Sequence, residues 1–132
     1  MIIKLNHKFN EKFVVTDKVY NGFIKIFKDE NPLHTDGKFA LKKGFKGKVM
    51  HGNILNGFLS YFIGECLLTK DVIIHSQEIQ FKSPVYLDDE LDFTAQVIGI
   101  YKSVNAIEFK FDFKNKELNK VAKGKFQIGL LI

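Results

Sequence analysis

An aspartate and a histidine stand five residues apart across a proline in Asp29-Glu30-Asn31-Pro32-Leu33-His34-Thr35-Asp36. A carboxylate and an imidazole that converge on one point suit general acid–base work: one orients or activates a water, and the other shuttles its proton. Pro32 lowers the freedom of the connecting loop, which helps two groups stay pre-positioned. The same residues also suit a purely structural use, with the aspartate capping a turn and the histidine opening a helix. A second segment, Val49-Met50-His51-Gly52-Asn53, runs into the longest apolar stretch of the chain. If a helix begins there, its first backbone N–H groups are unpaired and lie at the positive end of the helix dipole. With no side chain at Gly52, a substrate oxygen can approach that amide, as an oxyanion site requires. His51 beside it either shapes the same pocket or makes a structural hydrogen bond.

These residues need elements to hold them. Asp17 is placed to cap a helix whose apolar positions Val19, Phe23, Ile26 and Phe27 follow three-four spacing. Pro32 breaks that pattern and predicts a loop. A short helix is expected over Thr35–Lys43, ended by Gly44. The run Ile54–Leu68 is apolar on all sides and predicts a buried central helix, with Gly57, Ser60 and Gly64 letting strands approach closely. Beyond Lys70 the period changes to two. Ile79 and Phe81 alternate with polar residues, as do Leu91 to Val97, Ile107 to Phe113 and Ala122 to Leu130. Four such segments predict an antiparallel sheet with one buried face. A sheet wrapped around one helix makes a two-layer α+β domain, read here as a single domain over residues 1–132.

Composition bounds the partners. The 132 residues carry fourteen Phe, no Trp and a net charge of +5, and every one of the twenty positive charges is lysine. Acidic or phosphorylated partners fit that balance. Nucleic acid does not fit well, because the lysines are scattered from Lys4 to Lys125 and no arginine fork is present. The lone Cys66 excludes an internal disulfide and fits a reducing compartment, and its apolar surroundings make it a filler. Met1–Leu5 is too short for a signal peptide, and Ile54–Leu68 is too short and too polar to span a bilayer. The expectation is a cytoplasmic protein with no membrane segment. No His, Cys or Asp spacing suggests a metal site. His75 falls in a strand of mixed pattern, and His7 is expected to be exposed.

Taken together, Asp29-x-Asn31-Pro32-Leu33-His34, then Ala40, Gly44-Phe45 and Val49-Met50-His51-Gly52, resemble the MaoC-like hydratases. These are the (R)-specific enoyl-CoA hydratase branch of the hotdog superfamily. Phe81-Lys82-Ser83-Pro84-Val85 followed by Asp88-Asp89-Glu90-Leu91 resembles the segment that leads into a long strand in that family. The likeness runs from about Asp17 to Leu130. It implies a hotdog fold, and it implies that Asp29 and His34 activate the water that adds to a trans-2-enoyl thioester. It further implies that the Gly52 amide polarises the thioester carbonyl, that Asn31 braces the loop, and that Phe and Leu side chains hold the acyl chain. The substrate would be an acyl-CoA or acyl-carrier-protein thioester, no cofactor is needed, and the working unit would be a homodimer. One position departs from the pattern: the family carries a small pair, Ser-Gly or similar, before the aspartate, where this chain has Phe27-Lys28. Bulk and charge there are expected either to narrow the acyl entrance or to shift the loop. A hotdog thioesterase and a non-catalytic acyl-binding subunit are the rival readings. The first is disfavoured by the Asp-x-Asn-Pro-Leu-His segment, and the second is favoured only by Phe27-Lys28.

Overall fold

Four of the five strands fall where period-two alternation places them. In a computed structural model, which describes residues 3–132, they are β2 (Val72–Phe81), β3 (Glu90–Tyr101), β4 (Ala106–Lys114) and β5 (Lys120–Leu130). The fifth, β1 (Lys8–Val14), was not expected. The apolar start Met1–Ile2 lies outside the described residues. All neighbouring strands pair antiparallel, in the order β1-β3-β4-β5-β2. In β1 the inward positions are Phe9, Glu11 and Phe13, and the glutamate among them spoils the alternation that would have marked a strand. Strand β2 starts earlier than its alternating part, with the apolar run Val72-Ile73-Ile74, followed by a bulge between Ile74 and Ser76 that interrupts the alternation.

The helices depart from expectation in their details. Helix α1 (Asp17–Phe27) is capped by Thr16, whose Oγ1 accepts from the Val19 amide at 3.2 Å; Asp17 instead places its charge in the first turn. Val19 and Phe23 pack against the core, whereas Ile26 and Phe27 are exposed. Pro32 opens a helix instead of forcing a loop, because the first helical position needs no N–H. The expected helix over Thr35–Lys43 is two: α2 (Pro32–Thr35) and α3 (Gly37–Lys42), divided where the Asp36 carboxylate caps the amides of Lys38 and Phe39. The central helix α4 (Asn53–Tyr61) continues as a π-helical turn over Phe62–Cys66.

Only one side of that helix is buried, through Ile54, Leu55, Leu59, Phe62 and Ile63. Gly57, Ser60 and Gly64 face away from the sheet, and a Cβ built on either glycine meets nothing within 4 Å. The close approach expected of them is made elsewhere, at Gly124 on β5. A Cβ there would lie 1.9 Å from the Glu78 carbonyl oxygen, so any side chain at that point would push β2 off the sheet. The core between sheet and helix is built of phenylalanine: Phe13, Phe62, Phe93, Phe109, Phe113 and Phe126 are all buried. Phe93 alone has four phenylalanine rings within 4.7–6.0 Å of its own, from Phe13, Phe62, Phe111 and Phe113. A sheet wrapped around one helix has a narrow interior, and flat rings fill it at low side-chain entropy cost.

Candidate active site

The segment from Asp29 to His34 is held at both ends by local capping. Lys28 closes α1 in the left-handed region at φ 60°, with its amide donating to the Ile24 carbonyl at 2.8 Å. That conformation is cheapest for glycine, which gives a physical reason for the small pair that the resemblance expects before the aspartate. After Asp29, the Asn31 amide donates to Asp29 Oδ1 at 3.2 Å, and Asn31 Oδ1 accepts from the Leu33 amide at 3.0 Å. Asn31 therefore caps α2. It does not line the cavity, so its place is that of a brace and not of a substrate ligand.

Long-range contacts then set the rings. His34 Nδ1 donates to the Val49 carbonyl at 2.7 Å, so the proton sits on Nδ1 and Nε2 carries a lone pair. The Tyr20 hydroxyl donates to the His34 carbonyl at 2.5 Å, and the Val49 amide donates to the Leu33 carbonyl at 3.0 Å. Val49 is pinned in turn by a bridge to Tyr86, and the Met50 amide donates to the Val85 carbonyl. His51, 3% exposed, donates from Nε2 to the Asp29 carbonyl at 2.8 Å. Its ring stacks on that of His34 with centroids 4.0 Å apart. One ligand atom from each of Asp29, His34 and His51 lies within 4.8 Å of the other two. Asp29 and His34 thus lie side by side, and His51 both makes a structural hydrogen bond and borders the adjoining cavity.

His34 Nδ1 and His51 Nε2 are spent on backbone carbonyls, which leaves one nitrogen of each ring and the Asp29 carboxylate for a proton or a cation. The spacing in the sequence does not show this grouping, because His51 comes from a segment distant from Asp29 and His34.

A cavity of about 470 Å³ opens beside the trio, lined by Asp29, His34, Met50, His51, Gly52 and Phe81 among others. Gly52 and Asn53 begin α4, and neither amide has an acceptor among the described residues. They are unpaired donors at the positive end of a helix, as an oxyanion site requires. Glycine at position 52 also makes room for a neighbour: a Cβ there would meet the Phe81 ring at 3.0 Å. Phe81 stays 52% exposed and forms one wall of the cavity. An apolar groove of about 720 Å³ continues from Asp29 between α1 and α4, bordered by Val19, Phe23, Phe27, Ile54 and Phe58. Phe27 is one of the side chains that line this groove.

Tyr20 and Phe81 are the site residues that the sequence reading did not assign. Tyr20 sits on an ordinary helix and Phe81 at a strand end, and only their contacts make them part of the site. Burial raises the Tyr20 hydroxyl above its ordinary value, so it stays a donor to His34 across the neutral range. Cys66 is remote from the cavity, and burial, helped by Glu11, pushes its thiol up to about 11. It remains the half-buried filler that its sequence context indicates. His75 accepts from the Gln127 side chain at 3.0 Å. His7 is half-buried against Phe9, not exposed.

Comparison with known proteins adds three findings. The family model described as MaoC like domain matches residues 3–119. Among curated proteins, an (R)-specific enoyl-CoA hydratase of Aeromonas caviae is 33% identical over 79 residues, 60% of this chain and 59% of that one. A mitochondrial 3-hydroxyacyl-[acyl-carrier-protein] dehydratase of Arabidopsis thaliana is 27% identical over 113 residues, 86% of this chain and 67% of that one. The matched segments therefore span about three fifths to two thirds of these relatives. Among solved structures, the (R)-hydratase from A. caviae involved in PHA biosynthesis superposes with a TM-score of 0.90 at 22% identity, covering 98% of both chains.

Proposed function

Because the chain belongs to the MaoC-like domain family and has the hotdog fold, we propose that it is a lyase that hydrates trans-2-enoyl thioesters to (R)-3-hydroxyacyl thioesters and catalyses the reverse dehydration. The observation that carries this reading is the convergence of the Asp29 carboxylate and a His34 ring nitrogen at a cavity whose floor holds two unpaired helix amides. The relatives named above act on CoA and on acyl-carrier-protein thioesters by their names, and either substrate class suits the site.

On this reading each group takes a step. Asp29, with Oδ1 engaged by the Asn31 amide, has its other oxygen free to hold a water. His34 Nε2 takes a proton from that water as its oxygen bonds to the β-carbon. The π electrons pass through the α-carbon to the thioester oxygen, where the Gly52 and Asn53 amides face the developing charge. The pair then returns a proton to the α-carbon, which completes the addition of one water. His51 and Tyr20 touch no reacting atom. They hold the Asp29 and His34 carbonyls and so act as positioning residues. The apolar groove between α1 and α4 takes the acyl chain.

The test is crotonyl-CoA hydration followed at the enoyl absorbance, with free thiol measured alongside. Loss of absorbance without thiol is expected. Thiol release would support a thioesterase instead, and binding with neither change would support an acyl-binding subunit.

The proposal extends to a single-domain protein working in the cytoplasm as a homodimer. The lone cysteine fits a reducing compartment, and no helix among the described residues is long and apolar enough to cross a membrane. The unpaired edge strand β2 exposes Ile73, Ile74 and Phe81, which favours pairing with a second copy. Sedimentation equilibrium is expected to return the mass of two chains; a single-chain mass at micromolar concentration would refute the dimer.

A further inference from the structure

We propose that the outer face of the sheet is a docking surface for an acidic carrier protein, which delivers the acyl thioester on its phosphopantetheine arm. This rests on the hydratase reading and names the substrate class of the same site.

The lysines are dispersed in the sequence, but strand register gathers five of them. Lys8, Lys110, Lys120, Lys123 and Lys125 border a groove of about 550 Å³ on the polar side of the sheet, against the two carboxylates Glu78 and Asp112. Lys8 faces Gln96, Gln96 faces Lys110, and Lys110 faces Lys125, so one row crosses β1, β3, β4 and β5. Lys123 lies two residues further along β5, opposite Asp112. Among the described residues, Lys8, Lys110, Lys123 and Lys125 form no ion pair, and of the five only Lys120 does, at 3.6 Å from Asp112. Like charges directly opposite on neighbouring strands destabilise a sheet. Lys110 and Lys125 therefore repel each other, offset only in part by Glu78 opposite Lys125 on β2, and an anionic partner would relieve that repulsion.

The dimensions favour a protein over a single phosphate. Three inter-strand steps separate Lys8 from Lys125, a span of about 14 Å. A single phosphate covers little of that, whereas an acidic helix, about 10–12 Å across, covers most of it. Lysine offers separated point charges, which match carboxylates spread along a helix and not a bidentate phosphate contact. The surface is linked to the chemistry through β2. Lys123 faces Gln80 across the ladder, whereas Phe81, the next residue on that strand, points to the opposite face and walls the cavity, and Lys82 stands on the cavity rim. A carrier seated on the lysine row would pass its arm around the end of β2 to reach that rim.

The experiment compares crotonyl-CoA with a crotonyl-loaded acyl carrier protein as substrates of the full chain and of a Lys123→Glu/Lys125→Glu variant, with a Lys123→Gln/Lys125→Gln variant in parallel. Both pairs of substitutions are on exposed positions outside the cavity. For the charge-reversed variant, kcat/KM is expected to fall at least tenfold with the carrier substrate and to change less than twofold with crotonyl-CoA. For the unmodified protein, rising salt is expected to depress the carrier rate selectively. The glutamine variant is expected to lie between the two and checks that the effect follows charge. Equal loss on both substrates, or no loss on the carrier, would overturn the proposal. So would competition by a short duplex DNA as strong as that by the unloaded carrier. Failure of the unmodified protein to hydrate crotonyl-CoA would overturn the hydratase reading separately, and carrier binding by fluorescence anisotropy would then test the surface alone.

Discussion

Asp29→Asn is expected to lower the turnover of crotonyl-CoA by about 10²–10⁴-fold, the usual contribution of a positioned acid–base group, while the protein stays folded. The substitution is nearly isosteric, and the loop does not depend on the negative charge. His51 is bonded to the backbone carbonyl at position 29, and an amide oxygen can still accept from the Asn31 amide. What is lost is the anionic oxygen that holds the water. His34→Ala is expected to give a loss of the same order, with an added stability cost of about 1 kcal/mol because the bond from Nδ1 to the Val49 carbonyl is removed as well. Rates at saturating crotonyl-CoA, measured beside thermal melts followed by circular dichroism, check both expectations. Turnover within threefold of the unmodified protein in Asp29→Asn would remove Asp29 from the mechanism.

Phe93→Ala is expected to cost about 3–5 kcal/mol of stability, the range for deleting a fully buried aromatic ring, and to lower Tm by roughly 10 °C or more. Phe93 has no exposed surface and sits at the centre of the ring cluster contributed by β1, β4 and the turn after α4. Its removal leaves a void bounded by rings that cannot all move inward, since each is packed against further residues. Phe27→Ala supplies the contrast. That ring is 67% exposed, and the expected change is within about 0.5 kcal/mol. Equal melting temperatures for the two variants would show that the ring cluster is not what holds sheet and helix together.

Much of the architecture is legible in the chain because it follows from neighbours. In β3, β4 and β5, phenylalanine or aliphatic residues alternate with charged ones, and a pleated strand converts that directly into a buried and a solvated face. Pro32 is legible only as the break after α1; that it opens α2 depends on the Asn31 cap. Where the reading failed, a contact distant in sequence decided the outcome. Strand β1 carries Glu11 on its inner row and is a strand because β3 pairs with it. The glycines of α4 read as contact points, yet only the side on which the sheet lies decides which face of a helix is buried. The helix was taken as apolar all round, and its outward side, including Tyr61, is exposed.

The site divides along the same line. The sequence alone determined that an aspartate and a histidine stand five residues apart across a proline, and that an amide-bearing turn precedes an apolar helix. Those are statements about bonded neighbours, and capping by Asn31 makes them geometry within one turn. The tertiary structure alone decided that the two segments meet. The Val49 bridge to Tyr86 and the Met50 bond to Val85 bring the second segment against the sheet, where His34 and His51 can stack. It also decided that Tyr20 and Phe81 belong to the site, and that lysines scattered in sequence form a row across four strands. Pairing register is a long-range choice made by the whole core at once, and no local pattern carries it.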